Sequence, residues 1–175
     1  ALNIGGVTLH SYLGLGLGRQ SVDALVSKVF MRKYLRQRWL DLRCLVIDEI
    51  SMLSCELFDK IDNIARRVRR SCRPFGGIQL IVSGDFLQLP VVNSSKFTFE
   101  ARAWEDAIDV VVVLRENVRQ NADPRYAKML SEIRVGEISD ETVALLKTRV
   151  KKSSTTSTTT PTTTRTFSHN RDVQL

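Results

Sequence analysis

Apolar residues recur along this chain with two different periods, and the switches between them outline alternating helices and strands. Val22, Leu25, Val26, Val29 and Phe30 fall at helical spacing, predicting an amphipathic helix that runs into the basic residues near Arg38. Cys44-Leu45-Val46-Ile47 predicts a buried parallel strand, with Asp48-Glu49 at its carboxyl end. Ser51 or Ser54 can cap the next helix, whose stripe is Leu57, Phe58, Ile61, Ile64, Ala65 and Val68. Pro74-Phe75-Gly76-Gly77 breaks that helix, and Ile78 to Val82 predicts a second buried strand leading into Gly84-Asp85. The β-branched run Val110 to Leu114 predicts a third. Asp123 and Pro124 open a helix with Tyr126, Met129, Leu130 and Ile133 on one face, stopped by Gly136. Ser139 opens a shorter helix through Leu146. Strands alternating with helices imply an α/β domain with a mainly parallel sheet.

Composition sharpens the boundaries. The 175 residues suffice for one ordinary domain, and 43% are hydrophobic. No apolar run approaches the roughly 18 residues that span a bilayer. From Lys151 to Thr164 the chain is Lys-Lys followed by Ser and Thr around Pro161, so residues 151–165 are expected to form a disordered linker or insertion. Residues 166–175, with Phe167-Ser168-His169-Asn170, read as the start of a following segment. The first residues contain neither methionine nor a leader-like pattern, so any targeting signal is expected upstream. Cys44, Cys55 and Cys72 lack metal-ligand spacing and read as reduced packing residues, which points to an intracellular compartment.

The formal charge of +7 is concentrated in two runs, Arg66 to Arg73 and Arg32 to Arg38. Such runs suit a polyanion partner, or simply form solvated basic faces.

Candidate chemistry gathers at the two strand ends. Ile47-Asp48-Glu49 after a hydrophobic strand has the form of a Walker B motif. In that form Asp48 holds Mg²⁺, with Glu49 beside it polarising the water that attacks a γ-phosphate. An ordinary strand end with an acidic helix start looks the same. Asp85 and Gln88 after the second strand decide between these, because they bring another acid and a phosphate-sensing amide to the same edge. By contrast, no Gly is followed by Lys anywhere, so the chain contains no G-x-x-x-x-G-K-[ST] phosphate loop. Gly14-Leu15-Gly16-Leu17-Gly18 has no preceding strand and reads as a flexible turn. Thr8 by itself reads as a helix cap, and Arg119 as an arginine after a strand.

Three ordered stretches carry a family resemblance: Asn3 to Tyr12, Val46 to Leu53, and Phe75 through Gln88-Leu89-Pro90. Together with Phe99 to Trp104, Val118-Arg119-Gln120 and Ile133 to Gly136, they closely resemble the petite-integration-frequency (Pif) family of DNA helicases. The resemblance covers roughly residues 1–150 and departs from the family where Val91-Val92 follows Pro90. It implies an incomplete first RecA-like P-loop NTPase domain of a two-domain, superfamily-one motor. That motor uses ATP and Mg²⁺ to move 5′ to 3′ on single-stranded DNA and open duplex junctions. Family members act in telomere maintenance, DNA repair and recombination, in nucleus or mitochondrion.

On this resemblance Asp48, Glu49, Asp85 and Gln88 face the nucleotide, and Arg119 reaches the γ-phosphate to stabilise transition-state charge. Thr8, His10, Ser11 and Tyr12 match the segment that touches DNA, where hydroxyls bind phosphates and His10 or Tyr12 stacks on a base. A non-catalytic single-stranded-DNA-binding relative is the alternative. Because the phosphate loop is missing from residues 1–175, the purified chain is expected to show negligible ATPase. Robust DNA-stimulated phosphate release by it would contradict this reading.

Overall fold

The computed structural model describes residues 4–91 and 94–150. The expectations for residues 151–175 fall outside the described residues. Among those described, no helix is long and apolar enough to cross a membrane.

A short helix, α1 (Leu9–Tyr12), is followed by a glycine-rich turn, α2 (Val22–Met31) and α3 (Lys33–Asp41). The predicted continuous helix is thus two, broken at Arg32, which is extended with φ −108° and ψ 97°. The break follows from the pattern: the stripe of Leu25, Val26 and Val29 would continue into Arg32 and Lys33. Turning the chain instead brings Leu35 and Trp39 into the core, each 1% exposed. The glycine-rich turn is packed, not loose. Leu13 and Leu15 are buried within it, and a Cβ on Gly14 would lie 2.4 Å from Leu35 Cδ2.

The strands β1 (Cys44–Ile47) and β2 (Gln79–Val82) pair in parallel, with Cys44 opposite Gln79 and Ile47 opposite Val82. A parallel pair needs a crossover, and α4 (Cys55–Arg69) supplies it. Ser54, not Ser51, caps α4 by accepting from the Leu57 N–H at 3.2 Å. Phe58, Ile61, Ile64, Ala65 and Val68 are at most 2% exposed and form the centre of the core.

Only one face of each strand is covered. Leu45 and Ile47 are buried, whereas Val46 is 61% exposed, so the expectation of strands buried on both faces is corrected. Cys44 sits on the uncovered side and Cys72 in the loop after α4; both are exposed, and only Cys55 packs as expected. The predicted third strand does not form: Val110 to Leu114 is irregular and at least 70% exposed. High β-propensity requires a paired, half-buried surface, and this run has no ladder partner among the described residues.

Beyond it lie α5 (Trp104–Ala107), α6 (Pro124–Val135) and α7 (Asp140–Thr148). Asp123 and Ser139 cap the last two as predicted, and Gly136 ends α6 with φ 79°.

The arginine-rich end of α4 is internal glue. Arg69 donates to Gly76 O at 2.8 Å and to Trp39 O at 2.7 Å, and also reaches the carbonyls of Leu40 and Leu42. It thereby satisfies carbonyls at the end of α3 that the helix leaves open. Arg67 pairs with Asp23 at 2.6 Å, joining α4 to α2. Arg66 binds buried Asp62 at 2.8 Å, and Asp62 also accepts from the Phe75 N–H at 2.7 Å. Phe75 has φ 49°, and a Cβ on the next residue, Gly76, would lie 2.7 Å from Ala65 O. The Asp62 contact therefore holds a tight turn against α4 just before β2 begins. Asp62→Ala would leave Arg66 Nε and the Phe75 N–H without their acceptor, at a cost of about 3 kcal/mol, although Arg66 keeps its bond to Cys72 O. Loss of hydrogen-exchange protection along α4 and at Phe75 in the full-length protein would report it, and unchanged protection would refute it.

Candidate nucleotide edge and nucleic-acid groove

The carboxyl ends of β1 and β2 are stitched together. The Ser83 N–H donates to Ile47 O at 2.9 Å, and the Ile50 N–H donates to Ser83 O at 2.9 Å. The Ser83 hydroxyl donates to Asp48 Oδ1 at 2.6 Å, and the Glu49 N–H donates to the same oxygen at 3.1 Å. These two bonds, the serine's first, hold the Asp48 carboxyl below its ordinary pKa. Asp48 is therefore an exposed, ionised oxygen donor at neutral pH.

Glu49 adopts the left-handed conformation, φ 54° and ψ 47°, which is uncommon for a non-glycine residue and costs on the order of 1 kcal/mol. Such strain clusters at functional sites, and here it turns an exposed carboxylate out beside Asp48. Gly84 is the steric condition for this arrangement. A Cβ there would lie 2.9 Å from the Ile50 N atom. The next residue, Ser51, has a buried hydroxyl with no partner among the described residues. Fully buried Thr98 donates to Ile50 O at 2.9 Å and to Leu53 O, pinning the turn from below.

After β2, Asp85 organises its own loop. Its carboxylate accepts from the Leu87 N–H at 3.1 Å, Gln88 Nε2 at 3.0 Å and Arg134 Nη2 at 2.8 Å. Partial burial pushes the carboxyl up, but the Gln88 and Leu87 bonds and the Arg134 charge together outweigh it and hold it low. The predicted phosphate sensor Gln88 is exposed, with its amide parked on Asp85. Phe86 anchors the loop from behind, its ring 4.9 Å from Phe99 and 6.2 Å from Phe97.

Asp48, Glu49, Asp85 and Gln88 thus lie at one sheet edge. Arg119 does not join them by contact: it occupies an exposed turn before α6, with no hydrogen bond or ion pair to Asp48, Glu49 or Gln88. Among the described residues no three His, Cys, Asp or Glu side chains cluster as a metal site, and Asp48 and Glu49 are adjacent exposed carboxylates of the turn.

The segment from Thr8 to Tyr12 borders this edge. A cleft of about 640 Å³ is lined by Thr8 and Tyr12 on one side and by Val46, Asp48 and Ser83 on the other. Thr8 stands at the N-cap of α1, but its side chain caps nothing, so its exposed hydroxyl is available. Thr8, His10 and Ser11 also line a second groove of about 470 Å³. Tyr12 is occupied differently. Arg38 donates to its carbonyl at 2.7 Å and lies 5.0 Å over its ring, which fixes it as packing and not as an open stacking face.

Ser83, Gly84 and Arg134 are site residues that the sequence did not single out. Ser83 and Gly84 carry a faint signal, a hydroxyl and a glycine at a strand's carboxyl end. Arg134 lies in the Ile133 to Gly136 stretch of the resemblance, but nothing local points to its partner 49 residues away. Asp85 has a lowered pKa, so its contact with Arg134 stabilises fully above the ordinary carboxylate value near 4 and is lost as pH falls through the folded value. Arg134→Gln is expected to raise the Asp85 pKa in a carboxyl-resolved NMR titration. An unmoved titration would mean that the ion pair does not hold the loop.

The PIF1-like helicase family model matches residues 1–144. The ATP-dependent DNA helicase PIF1 of Saccharomyces cerevisiae (strain YJM789) is 49% identical over 148 residues, covering 81% of this chain and 17% of that protein. The Homo sapiens protein of the same name is 40% identical over 179 residues, covering 100% of this chain and 27% of its own length. The chain therefore spans well under half of the curated relatives it matches. The crystal structure of Pif1 helicase from Candida albicans superposes with a TM-score of 0.80 at 44% identity, covering 84% of this chain and 34% of that one. Pif1 from Bacteroides in complex with ADP-AlF3 and ssDNA gives 0.72 at 30% identity, covering 90% and 39%. With these relatives, the two-strand edge and its acidic turn identify the α/β fold as RecA-like, and the chain belongs to the PIF1-like helicase family.

Proposed function

We propose that this chain is most of the first motor domain of an ATP-dependent DNA helicase that moves 5′ to 3′ on single-stranded DNA. One observation carries this reading. Asp48, Glu49 and the Asp85–Gln88 loop converge where paired parallel strands end, in a member of the PIF1-like family. ATP would be the substrate, bound between this domain and a second RecA-like domain. A non-catalytic DNA-binding relative would have no use for an ionised Asp48 or a strained Glu49, which disfavours that alternative.

Asp48 fits Mg²⁺, a hard cation that takes one or two carboxylates and retains waters. When bound, the ion would neutralise charge on the phosphates. Glu49, turned out by its left-handed backbone, would accept a proton from the attacking water. Gln88 would report on the γ-phosphate by exchanging its bond to Asp85 for one to phosphate or water. Arg119, from its exposed turn, would reach the nucleotide on closure of the two domains. Thr8, His10 and Ser11 would hold the single strand ahead of a duplex junction. Genome maintenance, including telomere maintenance, repair and recombination in nucleus or mitochondrion, is the setting this reading implies.

In the full-length protein, Glu49→Gln is expected to retain nucleotide binding while turnover falls by about 10² to 10⁴, the usual worth of a general base. Turnover within a few-fold of the parent protein would remove Glu49 from that role.

A further inference from the structure

Two basic runs stand out in the sequence, and the structure treats them differently. In the first run Arg66, Arg67 and Arg69 of α4 are held by Asp62, Asp23 and backbone carbonyls, whereas Arg70 and Arg73 stay exposed. The run at the α2–α3 corner opens onto the groove that holds Thr8, His10 and Ser11. Because the chain breaks at Arg32, the same groove is also lined by Lys28, Arg32, Tyr34 and Arg38. Among the described residues no carboxylate lines the groove. Among the described residues neither Lys28 nor Arg32 forms an ion pair.

The other cations of this run are partly committed. Arg36 lies 5.2 Å over the Phe30 ring, and Arg38 lies between the Tyr12 and Tyr34 rings at 5.0 and 5.9 Å. Tyr34 is nevertheless 62% exposed, so its ring retains an accessible aromatic surface beside a fixed guanidinium. The floor is kept low by Gly14 and Gly16, both with positive φ. A Cβ on Gly16 would lie 3.5 Å from Lys28 Nζ, at ordinary contact distance, which places that cation directly over the glycine turn.

We infer that Lys28, Arg32 and Tyr34 form the second wall of a track for single-stranded DNA, closing on the strand opposite Thr8, His10 and Ser11. The inference rests on the helicase reading and adds to it residues whose register the α2–α3 break alone creates. Unpaired cations at the groove match a phosphate backbone, and an exposed ring beside them matches an unstacked base. A duplex offers phosphates but no base face, so Tyr34 selects the single strand.

Binding of a fluorescent oligothymidine to the full-length protein, followed by anisotropy across a salt series, tests this. Lys28→Gln combined with Arg32→Gln is expected to flatten the log–log salt slope by about 1.4, two phosphate contacts at about 0.7 each. Lys28→Arg with Arg32→Lys should keep the parental slope, which separates lost charge from lost folding. Tyr34→Ala should weaken binding by about tenfold with the slope unchanged, and Tyr34→Phe should bind like the parent. Lys147→Gln, on α7, is the control for charge removed elsewhere and should leave the slope unaltered. A parent protein that binds the oligonucleotide, with variants of identical slope and affinity, would overturn this wall alone. A parent protein that binds no single strand would overturn the functional reading and this inference together.

Discussion

The structure depends on the parallel pairing of β1 and β2, which places Ile47 opposite Val82. Parallel strands cannot be joined by a tight turn, so the pair exists only because α4 carries the chain back across the sheet. The apolar stripe of that helix, centred on Phe58, Ile61 and Ala65, fixes where it lies. Asp62, on the same helix, then fixes the turn at Phe75 from which β2 departs. Every feature of the nucleotide edge inherits this register. A shift of one residue would separate Ser83 from Asp48 and remove the space that Gly84 leaves over Ile50.

Charge is distributed by the same packing. The arginines of α4 sit beside helix ends and an aspartate, so their guanidiniums serve as multi-pronged donors to fixed carbonyls and carboxylates. At the α2–α3 corner Lys28 and Arg32 form no ion pair among the described residues and line a groove. A formal charge of +7 therefore overstates the basic surface available to a polyanion, because part of it is tied up inside the fold. The segment from Thr8 to Tyr12 borders the cleft reaching Asp48 on one side and the basic groove on the other. Displacement at either would be felt at the other through a few residues of backbone.

Much of this was legible from local pattern. Both strands, the α4 stripe, the caps at Ser54, Asp123 and Ser139, and the acidic strand end at Asp48-Glu49 follow from spacing and residue chemistry. The expectations that failed, among them the two that follow, ignored what surrounds an element. The Val110 to Leu114 run has the composition of a strand but gains nothing from it without a neighbour to pair with. The helix from Val22 onward could not continue through Arg32 and Lys33 without pointing charge into the core.

By itself the sequence determined the alternation of elements, the family, and the identity of the acids and amide at the strand ends. These depend on periodicities of two and 3.6 residues and on motifs whose members lie close together in the chain. The tertiary structure decided the left-handed turn at Glu49, the bond from Ser83 to Asp48 and the grip of Arg134 on Asp85 across 49 residues. It also decided which arginines are spent on the fold and which cations face a groove. Those outcomes depend on which side chains meet after the crossover closes, and no local pattern encodes a meeting between residues that far apart.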